Sequence, residues 1–182
     1  MEDLVLTPEG CLALMQRHQM PPHIIDHSRQ VARIAVFLAS LGVRRGLNVN
    51  APLVEAAALV HDITKVRAIT THEDHAATGG DLLEGLGYRR MGEIVAQHVV
   101  LHDYDGPLDE AALVNYADKR VNHDAIVTLE QRFAYLFTQY GKFPAAIEML
   151  THLRDVTAGL EKRLFDALGE NPSIVATLAT RT

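Results

Sequence analysis

Residues 50–65 read NAPLVEAAALVHDITK. Asn50 is suited to cap a helix whose first turn carries Pro52, where a missing amide donor is harmless. Leu53, Ala56, Ala57 and Val60 then recur at spacings of three and four, the period of a helix face. The helix is rich in alanine, Glu55 is its one charged residue, and it ends in His61 and Asp62. An imidazole beside a carboxylate in so apolar a context is costly to bury unless both are paired or hold a cation. A solvated helix end would account for an isolated pair of this kind, so the neighbours of the pair decide.

Upstream, Thr7, Pro8 and Glu9 predict a helix start, and that helix should run to about His18. Pro21 and Pro22 break the chain, after which Ile24, His27, Val31, Ile34, Phe37, Leu38 and Leu41 mark one face of a long helix ended by Gly42. Residues 43–50 form a polar loop, and the β-branched, irregular stretch 63–71 predicts another. Downstream, helices are expected over 74–86, stopped by Gly87, and over 91–102, with a turn at 103–109. Three more follow over 110–121, 125–140 and 144–168, the last two stopped by Gly141 and Gly169. No alternating strand of useful length and no internal repeat interrupts this pattern. The expectation is an all-α helical bundle of about seven or eight helices, a single domain over 1–170 with 171–182 as a C-terminal tail that holds at most a short helix. The aromatic stretch RFAYLFTQY, 132–140, is expected to pack in the core, with a homodimer face as the alternative.

Composition narrows the function classes. The chain has 182 residues, 48% hydrophobic and 22% charged, which suits one soluble globular domain. Seventeen Lys and Arg against 23 Asp and Glu give a net charge of −6, which argues against a partner that is a nucleic-acid polymer or a membrane surface. The single cysteine, Cys11, excludes an internal disulfide framework and an all-cysteine zinc site. Residues 1–10 carry Glu2, Asp3 and Glu9 and lack the basic start of a signal peptide, and no apolar run spans a bilayer. A cytoplasmic location is therefore expected. The unusual figure is ten histidines.

One of these, His27, shares a helix face with Val31 and Ile34, so it points at the core. Asp118, in the string VNYADKRV, lies on a stripe with Val114 and Val121. With His61 and Asp62, these residues can satisfy one another around a metal. Two imidazoles and two carboxylates suit iron, manganese, nickel, cobalt or zinc, and such a divalent ion lowers the pKa of bound water toward about 7 and polarises a phosphoryl oxygen.

The ordered set HSRQVARIAVFLA with His27, LVHDITK with His61 and Asp62, and YADKRV with Asp118 resembles the HD-domain metal-dependent phosphohydrolases over residues 23–140. The resemblance implies an all-helical domain around a central metal site. It implies hydrolysis of a small phosphate ester, such as a nucleotide, by metal-bound hydroxide. The segments DHAATGGDLLEGLG and IVAQHVVLH look like those that carry extra metal histidines in two-metal members, where His75 and His98 would join and Asp62 would bridge the ions; His72 and His102 compete for those places. One ion or two is left open. Lys65, at the HDxxK spacing, would contact the substrate phosphate. Arg120, beside Asp118, is the other candidate phosphate contact, with a salt bridge as its alternative.

Thr64 stands where the HDIG variant has glycine, and HDYDGPLD does not continue into a GYP signature, so a cyclic di-GMP phosphodiesterase is not expected. His18, His23, His123 and His152 have no motif around them and are expected at the surface. Competing functions are an HD-fold di-iron oxygenase and a non-catalytic signalling or binding module.

Overall fold

The computed structural model describes residues 4–179; the first three residues of the expected domain and the last three of the expected tail lie outside that range. Thr7 accepts from the Gly10 amide at 3.2 Å and starts α1 (Pro8–Arg17). After Pro21 comes α2 (Pro22–Arg44), whose inward face carries Ile24, His27, Val31, Ile34, Leu38 and Leu41. The Asn50 side chain accepts from the Leu53 amide at 3.2 Å and opens α3 (Ala51–Val60). Seven of its ten residues are buried, because the alanines let neighbours approach from several sides. A second buried helix, α7 (Glu110–Asp118), has every residue covered. α3 and α7 pack on each other and on α2, which places the ends of α3 and α7 beside the first turns of α2.

Around this centre lie α4 (Lys65–Thr71), α5 (His75–Gly85), α6 (Arg89–Val95), α8 (Leu129–Tyr140) and α9 (Pro144–Leu168), completing nine α-helices among the described residues. The all-helical architecture agrees with the sequence, and Gly169 ends α9 in the left-handed region at φ 64°, where glycine has no Cβ penalty. α5 and α6 come together through glycine. A Cβ on Gly80 would lie 2.9 Å from the Gly92 carbonyl oxygen, and one on Gly92 would lie 2.6 Å from the Gly80 oxygen.

Several boundaries differ from expectation for identifiable reasons. The stretch 63–71 is not all loop: α4 forms there with no buried residue, so the sequence had no apolar face to show. The helix expected over 91–102 ends at Val95. Asn115 Nδ2 donates to the carbonyls of Gln97 and His98, and Lys119 Nζ donates to that of His98 at 2.6 Å, so distant side chains take the acceptors a helix would have used. Between α7 and α8, Val121–Asn122 (β1) pairs antiparallel with Ala125–Ile126 (β2), strands too short to alternate visibly. The helix expected from 125 therefore starts at Leu129, behind a Thr128–Gln131 capping box. The expectation that 132–140 is core is corrected: of α8 only Phe133 is buried. Residues Pro172–Leu178, expected as tail, form a 3-10 helix whose Val175 and Leu178 join the main core.

Candidate metal centre

Three buried histidines are anchored alike. His27 Nδ1 bonds the His123 carbonyl at 2.8 Å, His61 Nδ1 the Ala58 carbonyl at 2.8 Å, and His98 Nδ1 the Val95 carbonyl at 2.7 Å. A carbonyl oxygen only accepts, so each Nδ1 carries the proton and a neutral ring presents a lone pair at Nε2. The Nε2 atoms point at carboxylates. His27 Nε2 is 3.1 Å and His61 Nε2 3.6 Å from Asp118 Oδ1. His61 Nε2 also lies 3.4 Å and His27 Nε2 3.9 Å from Asp62 Oδ2. On the other side of the same carboxylate, Oδ1 is 3.3 Å from His75 Nε2 and 3.5 Å from His98 Nε2. The donor atoms of His27, His61 and Asp118 all fall within 4.8 Å of one another, as do those of His61, Asp62 and His98.

This is a cluster of acceptors short of donors. His61 Nε2 and Asp62 Oδ1 are buried without a hydrogen-bond partner, and lone pairs so placed repel unless a proton or a cation lies between them. Burial alone would lower the His61 pKa, but the Asp62 carboxylate, helped by Asp118, outweighs it and takes the imidazole up to about 9. His98 moves the other way, down to about 4, chiefly by burial. Both carboxylates stay well below their usual range: burial would raise them, but His61 beside Asp62 and Lys119 beside Asp118 prevail. A proton shared by His61 and the carboxylates thus competes with any metal for the same electron pairs.

The remaining candidates separate. His75 opens α5 behind Asp74, and its Nε2 is 3.1 Å from His98 Nε2; His72 and His102 are exposed. The structure therefore brings His75 and His98, not their competitors, to Asp62. Lys65 Nζ donates to Asp62 Oδ2 at 2.6 Å. Burial would lower its pKa, but Asp62 raises it, so the ammonium is retained at neutral pH. Arg120 as a phosphate contact is a correction. It is buried, its guanidinium donates to the Tyr116 hydroxyl, to Glu161 Oε2 at 3.3 Å and to the carbonyls of Val127 and Pro172, and so it ties α7 to α9 and the 3-10 helix. Two further residues matter: Lys119, passed over in the sequence for Arg120 and buried beside Asp118, and His123, whose carbonyl orients His27 from a backbone at φ 52°. A lysine next to a core-facing aspartate was a usable signal for the first; nothing in the sequence marked the second.

The family model described as HD domain matches residues 24–122, more than half of the chain. The chain belongs to the HD-domain family. The match to the HD domain runs from α2 into β1, so it includes every histidine and aspartate of the cluster and leaves out α8 and α9. Among curated proteins, the chain is 35% identical over 94 residues to a tRNA (cytidine(56)-2'-O)-methyltransferase of Thermoplasma volcanium, covering 50% of this chain and 25% of that protein. The HD chain thus spans about a quarter of that relative's length. No solved structure matches. No helix among the described residues of this HD protein is long and apolar enough to cross a membrane.

Beside the HD cluster opens a cavity of about 220 Å³, with His27, Asp62 and Lys65 on one side and Arg132, Tyr135 and Leu136 of α8 on the other.

Proposed function

We propose that this HD domain is a metal-dependent phosphohydrolase that cleaves a small phosphate ester. The observation that carries the reading is the convergence of imidazole Nε2 atoms on two buried carboxylates, with His61 Nε2 and Asp62 Oδ1 left without a hydrogen-bond partner. The donor set, imidazole nitrogen with carboxylate oxygen, fits iron, manganese, nickel, cobalt or zinc. His27, His61, Asp62 and Asp118 would hold one ion, and His75 and His98 would hold a second with Asp62 shared, since its two oxygens already divide between the two histidine groups. Such an ion supplies Lewis acidity toward water and the phosphoryl group.

The chain's own residues do the rest. Carbonyls of His123, Ala58 and Val95 fix the ring orientations, so little reorganisation is left for the reaction. Lys119 keeps Asp118 ionised. Lys65, half-exposed at the cavity edge, brings a positive charge to a substrate phosphate. The tRNA methyltransferase is matched over a quarter of its length, so methyl transfer is not carried over, and the net charge of −6 favours a small substrate over a nucleic-acid polymer.

The test is elemental analysis of protein purified without chelator, coupled to a screen of phosphomonoesters, phosphodiesters and nucleotides. The expected result is a bound transition metal that Asp62→Ala and Asp118→Ala release, and an activity abolished by chelator. Lys65→Ala should lose activity and keep its metal. Metal content unchanged in both aspartate variants would refute the site.

A further inference from the structure

Lys65 is a poor match for a whole phosphate by itself, because Asp62 already sits 2.6 Å from its ammonium and offsets much of its charge. Arg120, the other expected cation, is spent inside the protein. A different arginine reaches the cavity. Arg132, in the first turn of α8, lines it together with His27, Asp62 and Lys65. Its Nη1 donates to the neutral Asn122 amide oxygen at 2.8 Å, its Nε is buried with no partner, and no carboxylate among the described residues pairs with it. It shares the cavity wall with His27 and Asp62, which sets it beside the metal cluster. A guanidinium with donors to spare, facing a cavity next to a cation site, has the planar fork that suits a phosphate.

The wall next to Arg132 is apolar and partly aromatic. Tyr135 and Leu136 follow it on α8, and Tyr135 is braced edge-on by the His123 ring at 5.4 Å and 78°. At about 220 Å³ the cavity is smaller than the roughly 300–1,000 Å³ of drug-sized sites, room for a phosphate and one small ring.

We propose that Arg132 is a substrate-binding residue that grips the phosphate together with Lys65, and that Tyr135 receives the flat face of the esterified group, so that the substrate is a phosphomonoester of a small planar molecule. This rests on the phosphohydrolase reading above. The HD match stops at residue 122, so α8 lies outside the matched region.

The experiment is calorimetric binding of inorganic phosphate, phenyl phosphate and glycerol phosphate to the full-length metal-containing protein, with metal content measured on the same samples. Arg132→Gln should bind inorganic phosphate about tenfold to a hundredfold more weakly, the worth of one charge-assisted contact, with metal content and thermal midpoint unchanged. Arg132→Lys, which keeps the charge without the fork, should recover part of that loss. Tyr135→Ala should weaken phenyl phosphate while leaving inorganic phosphate and glycerol phosphate as they were. Unaltered phosphate binding in Arg132→Gln, or loss of metal from it, overturns the role of Arg132 and leaves the hydrolase reading standing. Equal affinity of the parent protein for phenyl and glycerol phosphate overturns the planar-substrate assignment. A metal-containing parent protein that binds no phosphate at all removes both readings together.

Discussion

Replacing Gly92 by alanine tests how tightly the second histidine pair is braced. The new Cβ would stand 2.6 Å from the Gly80 carbonyl oxygen, where an ordinary carbon–oxygen contact is about 3.3 Å. The obstacle is backbone, so it cannot rotate away, and α5 and α6 must part by about 0.7 Å to restore that contact. Overpacking of this kind costs about 1–3 kcal/mol, partly offset by the roughly 1 kcal/mol that alanine gains over glycine inside a helix. The net cost is then up to about 2 kcal/mol, and for a chain of this size each kcal/mol moves the midpoint by about 2–4 °C, so thermal unfolding followed by circular dichroism should show a fall of up to about 8 °C. Gly159→Ala is the matched control: it lies inside α9 with nothing within 4 Å of a Cβ, and it should raise the midpoint by a few degrees. The outward step would also part His75, at the start of α5, from His98, just past the end of α6, so any metal held by that pair should be lost first. A Gly92→Ala protein as stable as Gly159→Ala would refute the argument, because it would mean that the helices are free to slide.

Other consequences are open to direct measurement. Arg120→Met should destabilise the fold by about 1–3 kcal/mol, since it leaves the carbonyls of Val127 and Pro172 without their donor and the half-buried Glu161 without its guanidinium; an unchanged unfolding midpoint in urea would return Arg120 to the list of substrate contacts. Cys11 is fully buried and burial pushes its thiol up to about 12, so at pH 8 it should resist alkylation in the native protein and react on unfolding. The unfolded chain gives up that proton first, so the linked stability is intact below about pH 9 and declines as pH rises toward 12; rapid native-state labelling by mass spectrometry would contradict the burial. His75→Ala and His98→Ala should each lower the metal content from two ions per chain to one, and a parent protein that never exceeds one ion with excess metal supplied would leave the mononuclear arrangement.

The sequence showed His27, His61, Asp62 and Asp118 because each breaks an apolar stripe, and a polar residue on a core face needs an explanation. The helix starts at Pro8 and Ala51 were visible for a local reason, a capping side chain a few residues away. What it could not show depends on contacts between distant positions. α6 stops short of His98, whose carbonyl is taken by Asn115 and Lys119, and no window around His98 contains those partners. Seeing that Arg120 is spent inside the protein required knowing how the chain turns between α7 and α8, where paired strands of two residues each leave no periodic trace. α4 escaped notice because Val66 and Ile69 remain exposed, so its pattern is that of a loop.

Each cluster histidine whose Nδ1 is fixed takes that bond from a main-chain carbonyl, and this has a consequence for mutagenesis. Changing the side chain of His123 or Val95 leaves the acceptor where it is, and position 58 is alanine already, so a scan by alanine would pass over the groups that aim the rings. Their loss would register only in variants that move the backbone, such as a deletion in the turn at His123 or a proline that reroutes it. The side chains at these places answer to other demands, the core at Ala58 and Val95 and the Tyr135 ring at His123, while their carbonyls keep the imidazoles aimed.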